Sequence, residues 1–296
     1  MLDISRDQLE KLYDRQQLII KGVGAIAVID IITYIVIRVF HMSGLLFLII
    51  VNVVLFIAVL FAKKALIPEG QSSKVLKEAM TSLQYDHCSD RALDMLYSKM
   101  PMAQTFPEKA YLTLFVAETH MQRGEMDKAI STLDTIDRSQ FIKYPNVGMS
   151  FYDDIVGLYY ELGDYDSAMR AYKDGEPFIR ECSQRNYSSC STAIEILIHA
   201  YAASGDPRHA LDLRLMKNDF QNRFNKDVEK KLDDGGTPLK MFLRGMVFLD
   251  TAELFYMCGD FTSAAQAVDN AGPLLTRTPF YLDRANRLSA AIRERM

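Results

Sequence analysis

The 296-residue chain lacks the short motifs that carry common enzyme chemistry. It has no G-x-x-x-x-G-K-S/T to cradle a phosphate, no dinucleotide-binding glycine motif, no G-x-S-x-G and no H-E-x-x-H. These absences argue against an enzyme and leave no expected cofactor. The four cysteines, Cys88, Cys182, Cys190 and Cys258, form no C-x-x-C pair and lie far apart, the pattern of reduced thiols. A basic excess is missing too. Residues 1–64 take seven of the 34 basic and five of the 38 acidic side chains, leaving 27 against 33 in the remainder. That mildly acidic remainder has no clustered basic face for phosphates, which excludes nucleic acid as a partner. Asp86 to Asp90, with His87 and Cys88 between, comes nearest to a metal site. Adjacent residues do not share a helical face, so the segment reads as a loop and no metal is expected.

What the chain does have is two long apolar runs, 18–40 and 45–62, separated by His41, Met42, Ser43 and Gly44. At about 1.5 Å per residue, roughly 20 residues cross a hydrocarbon core of about 30 Å. The expectation is an antiparallel two-helix transmembrane hairpin over 18–62, preceded by a short segment 1–17 and followed by a hinge, 63–71. Arg6, Lys11, Arg15 and Lys21 precede the first run, and Lys63, Lys64, Lys74 and Lys77 follow the second. By the positive-inside rule, both termini and the domain after the hinge are cytoplasmic, and the chain is an integral membrane protein contacting lipid through two spans. Within the first run Asp30 stands about one helical turn from the level of Asn52. A hydrogen bond between them would fix the hairpin, and a homo-oligomer through Gly22, Gly24 and Asp30 is the other reading.

From residue 72 one punctuation recurs. Gly124, Gly163, Gly205 and Gly259 are each followed five residues later by Ala129, Ala168, Ala210 or Ala264, and by Asp or Glu at the next position. Gly ends one helix in the left-handed conformation, the acid opens the next, and the small Ala lets the two helices approach. Each unit is therefore a helical hairpin. A further hairpin precedes them, with Lys74 to Tyr85 as its first helix and Ala92 in the alanine position. Pro279 to Met296 forms a closing helix with Leu282, Ala285, Leu288 and Ile292 on one face, the cap that a repeat stack needs.

Through Tyr152, Ile155, Tyr159, Gly163, Ala168 and Tyr172, and again through Phe248, Ala252, Phe255, Gly259, Ala264 and Ala271, residues 72–296 resemble the tetratricopeptide repeat family. His120 and Arg214 depart from it where aromatics are usual. The glycine spacings of 39, 42 and 54 residues exceed the family's period of about 34, and the largest insertion, 218–236, holds an expected loop at 233–236. The resemblance implies an all-α, tetratricopeptide-like α-solenoid with a C-terminal capping helix, whose first helices line a concave groove. Mapped residue by residue, its binding positions include Tyr111, Glu118, Met121, Asp153, Tyr160, Glu161, Glu195, His199, Glu253 and Tyr256. None of the mapped positions is Lys or Arg. An acidic lining interleaved with Tyr and Met suits a protein or peptide with basic and apolar side chains; a merely solvated helix face is the alternative. The expected function is a membrane-tethered scaffold or adaptor that docks such a partner. The rival is a subunit of a larger membrane complex held mainly through the hairpin.

Overall fold

The computed structural model describes residues 1–39, 73–229 and 236–296. Among these the chain is all-α, with twelve α-helices and no strand. The first is α1 (Arg6–Val39). Five hairpins follow: α2 (Lys74–Asp86) with α3 (Asp90–Lys99), α4 (Phe106–Gln122) with α5 (Met126–Leu133), α6 (Pro145–Glu161) with α7 (Tyr165–Ser183), α8 (Tyr187–Ala203) with α9 (Pro207–Glu229), and α10 (Pro238–Met257) with α11 (Phe261–Ala271). The closing helix is α12 (Pro279–Arg293).

The turns follow from their chemistry. The four repeated glycines are the positive-φ glycines, at 76°, 74°, 85° and 79°. Asp164, Asp206 and Asp260 then accept the backbone N–H three residues on, at 3.0 to 3.1 Å, satisfying one of the donors a helix start leaves open. The first such turn differs. Glu125 makes no cap and instead meets His120 Nδ1 at 2.6 Å and accepts from Arg123, so His120 holds a turn where the repeat pattern wants an aromatic. Ala129, Ala168, Ala210 and Ala264 have no exposed surface, and Ala92 almost none. A side chain any larger would push the two helices of each hairpin apart.

First helices α2, α4, α6 and α8 succeed one another along the inner side of the array, each touching the next. The last hairpin closes it. Helix α10 crosses the inner face instead of extending the row. Near its start, Phe242 stacks on His87 at the end of α2, with 5.2 Å between ring centres. Further along, Asp250 reaches Arg214 of α9, and Met257 accepts the hydroxyl of Tyr160 from α6. The Cys88 thiol donates to the Arg277 carbonyl, and Gly124 lies under Phe280, whose ring a Cβ there would meet at 2.6 Å. First and last hairpins are thus in contact.

Residues 2–13 are built into this fold. Leu2, Ile4 and Leu9 are buried in the main core, and the backbone of Leu2 is held between the hydroxyls of Tyr172 (2.8 Å) and Tyr201 (3.2 Å). Tyr13 packs edge-on against Tyr187 and Phe220.

Among the described residues no helix is long and apolar enough to cross a membrane. This corrects the expectation of an integral membrane protein with cytoplasmic termini and leaves the two-span hairpin without support. The apolar run from Leu18 does not begin a helix of its own. It continues α1, whose first turns carry Arg6, Asp7, Glu10, Lys11, Asp14 and Arg15 and are tied to the repeats, and Lys21, Asp30 and Arg38 interrupt the rest. The second run and the hinge, 45–71, fall outside the described residues. So do Asn52 and the side chain of Asp30, and with them their expected contact. Gly22 and Gly24 lie on α1, and among the described residues nothing comes within 4 Å of a Cβ placed at either. The insertion after Asn218 proves helical to Glu229, while residues 230–235, and with them 233–235 of the expected loop, lie outside the described residues.

Candidate functional site

Register places an acid on the inward face of nearly every first helix. Glu118 comes from α4, Asp153, Asp154 and Glu161 from α6, Glu195 from α8, and Asp250 and Glu253 from α10. All are partly buried, so each pays for lost solvation unless a cation or donor compensates.

One side of this wall is compensated by the chain itself. Arg214, only 1% exposed, grips Glu195 with both terminal nitrogens at 3.0 and 2.5 Å and reaches Asp250 at 3.3 Å. Lys217 adds a second cation on Glu195. Burial alone would raise the Glu195 carboxyl; Arg214 and Lys217 outweigh it and hold the group well below the usual carboxylate range. From α12, Arg284 forks onto Glu253 at 2.7 and 2.5 Å and lies 3.7 Å from Glu161. The Tyr281 hydroxyl donates to Glu161 at 2.6 Å. Burial still wins there, lifting Glu161 to about 7 and raising Glu253, because one guanidinium serves two carboxyls.

The other side has no such contact. Among the described residues no cation pairs with Glu118, Asp153 or Asp154. One buried oxygen of each aspartate has no hydrogen-bond partner. Burial lifts Glu118 to about 7. It also raises Asp153 to about 7, with Glu195 and Glu118 adding to the shift and Lys217 and Arg214 opposing it, and lifts Asp154 well above its ordinary value, with Glu118 and Asp153 adding. A cluster of this kind holds protons at neutral pH or attracts a cation.

The remaining expected groove residues are largely packing positions. Tyr111 is buried beside Phe115 and Met121 lies against the core. Tyr256 meets Phe261, and Tyr160 is stacked on His199 with ring centres 5.2 Å apart. His199 lies against Gly157, where a Cβ would come within 3.3 Å of the ring. Its Nδ1 has no partner, and burial lowers its pKa, opposed by Glu195 and Asp250. Donor atoms of Glu195, His199 and Asp250 fall within 4.8 Å of one another, a spacing that a metal ion could bridge. The Arg214 guanidinium already neutralises both carboxylates there, so the set is poorly suited to a cation.

Between α2, α4 and the start of α10 lies a cavity of about 100 Å³. Met80, Leu83, Phe115 and Leu239 form its apolar walls, with Glu118, Gln122 and His87 at polar positions. Sequence reasoning placed Glu118 and Gln122 on the groove and missed the rest of this site, as it missed the pairing roles of Arg214, Lys217 and Arg284. Arg214 did leave a signal: a charged residue in an aromatic core position of a repeat implies a buried ion pair. No family model, curated protein or solved structure matches this chain.

Proposed function

We propose that this chain is a tetratricopeptide-like helical scaffold, without enzymatic activity, that docks a protein or peptide carrying basic and apolar side chains. The observation that carries this reading is the acid triad Glu118, Asp153 and Asp154, which the chain's own described cations leave unmatched while they match Glu195 and Glu253. A basic side chain entering the inner wall beside α4 would ionise these carboxyls and satisfy the aspartate oxygens that lack partners. The acid face thereby narrows from the whole groove to one sector, since α10 and α12 already occupy the remainder.

The test is binding of the full chain to a synthetic Lys/Leu peptide, with a Gln/Leu peptide as control, at several ionic strengths. The Debye length shrinks from about 10 Å at 0.1 M to about 3 Å at 1 M, so association through the triad slows as salt rises. Glu118→Gln, Asp153→Asn and Asp154→Asn together are expected to remove most of that salt dependence with the fold intact. Equal binding by the triple variant and the wild type at low salt would sink the proposal.

A further inference from the structure

Two polar side chains that line the α2/α4/α10 cavity carry buried atoms with no hydrogen-bond partner among the described residues. His87 is 2% exposed, and neither ring nitrogen has a hydrogen-bond partner. Gln122 is 8% exposed, and its Oε1 is likewise unmatched. Glu118, a carboxyl raised by burial, lines the same cavity. Buried polar atoms left this way each cost on the order of 1 to 3 kcal/mol, so a native chain that keeps several around one cavity points to something that fills it.

The acceptors define the head of that ligand. Gln122 Oε1 and the Glu118 carboxylate take hydrogen bonds and cannot give them, and a neutral imidazole offers one lone pair. His87 is kept neutral by burial first and by the nearby Arg277 second. A group with three donors and a positive charge satisfies all three at once, and an ammonium is such a group. The walls define the body: Met80, Leu83, Phe115 and Leu239 want hydrocarbon. Size limits its length, because an apolar cavity of about 150 Å³ accepts benzene and this one measures about 100 Å³. A four-carbon stem fits that space, whereas a guanidinium is wider and would need planar, paired acceptors.

We infer that this cavity is a binding site for a primary alkylammonium on a short apolar stem, the chemistry of a lysine side chain, with Glu118, Gln122 and His87 as its three acceptors. Asp153 and Asp154 reinforce the negative field from the neighbouring helix. The inference rests on the docking reading above and assigns its anchor: one lysine of the partner, inserted between α2 and α4 beneath Leu239.

Methyl NMR of the full chain tests it, with n-butylammonium, 1-pentanol, and the N-acetyl methylamides of lysine and arginine as probes. Saturable shifts are expected at Met80, Leu83 and Leu239 with n-butylammonium and the lysine amide, and at least tenfold weaker binding of the alcohol and the arginine amide. Glu118→Gln should erase the preference for ammonium over alcohol. Gln122→Leu should weaken the lysine amide several-fold with the methyl spectrum otherwise unchanged. Equal binding of alcohol and amine, equal binding of the arginine and lysine amides, or shifts confined to methyls outside the cavity would overturn the inference. A tenfold preference for n-butylammonium over the lysine amide would overturn the partner-anchor form and assign the cavity to free amines. If a Lys/Leu peptide still requires the three acids while the cavity methyls stay unmoved, the docking proposal stands and the lysine site falls.

Discussion

Along α8 and α10, Glu195, Asp250 and Glu253 face Arg214 and Arg284, and Glu195 also faces Lys217. Along α4 and the middle of α6, Asp154 faces Glu118 and Asp153, and Asp153 lies between the acids Glu195 and Glu118 and the more distant cations Lys217 and Arg214. Both sectors are built by the same register of acids on first helices, and both are partly buried. They differ in how the positive charge arrives: α9 and α12 bring cations into ion-pair contact on one side, whereas on the other Lys217 and Arg214 reach Asp153 only at longer range and no described cation pairs with Glu118 or Asp154. Pairing by itself does not settle the proton balance. Glu195, with two cations, falls well below the usual range, whereas Glu161 and Glu253 share Arg284 and remain raised by burial. A repeat array can thus neutralise its concave wall locally and leave one sector open to a partner.

The largest effect expected from breaking this contrast comes from Arg214→Met. Removing the buried guanidinium strands Asp250 and leaves Glu195 with Lys217 alone, a loss of about 3 to 5 kcal/mol measured by urea unfolding. A loss under 1 kcal/mol would mean that the compensated side is not held by this pair. The open side should respond in the opposite direction. Glu118 and Asp153 have folded values near 7, above their ordinary 4.5 and 3.8, so the folded state binds more protons between those limits. The stability they contribute is complete below about pH 4 and is lost as pH rises through 7. The thermal midpoint is therefore expected to fall between pH 5 and pH 8. Glu118→Gln with Asp153→Asn should flatten that fall and raise stability at pH 8 by on the order of 1 kcal/mol. Some slope will persist, because Glu161 is raised to about 7 as well. Tyr281→Phe sharpens the boundary between the two sectors. It deletes one donor to Glu161, costs about 0.5 to 1.5 kcal/mol, and should steepen the pH dependence by lifting Glu161 further.

The hairpins were legible because their signals are local. Gly163 followed by Asp164 and Ala168 specifies a left-handed turn, a cap and a close helix contact within six residues, and the closing helix from Pro279 declares itself by period. The way the array closes was not legible. That α10 crosses the inner face depends on Phe242 meeting His87 and Leu239 entering beside Leu83, contacts between segments about 155 residues apart that no periodicity encodes. Glu118, Asp153, Glu195 and Glu253 were found as acids on one face, but their difference was invisible, since Arg214 reaches Glu195 from the second helix of a hairpin and Arg284 reaches Glu253 from the closing helix. The apolar run from Leu18 misled for the converse reason: composition recorded its length and not its continuity with the charged, docked start of α1.

The most direct measurement is a site-resolved carbon NMR titration of the side-chain carboxyls in the full chain, assigned by single substitutions. The account predicts that Glu118 and Asp153 titrate near 7 while Glu195 stays ionised well below 4. Glu118 and Asp153 titrating near 4, alongside ordinary surface carboxylates, would show an open sector that is only a solvated helix face and would contradict the claim that it awaits a basic partner.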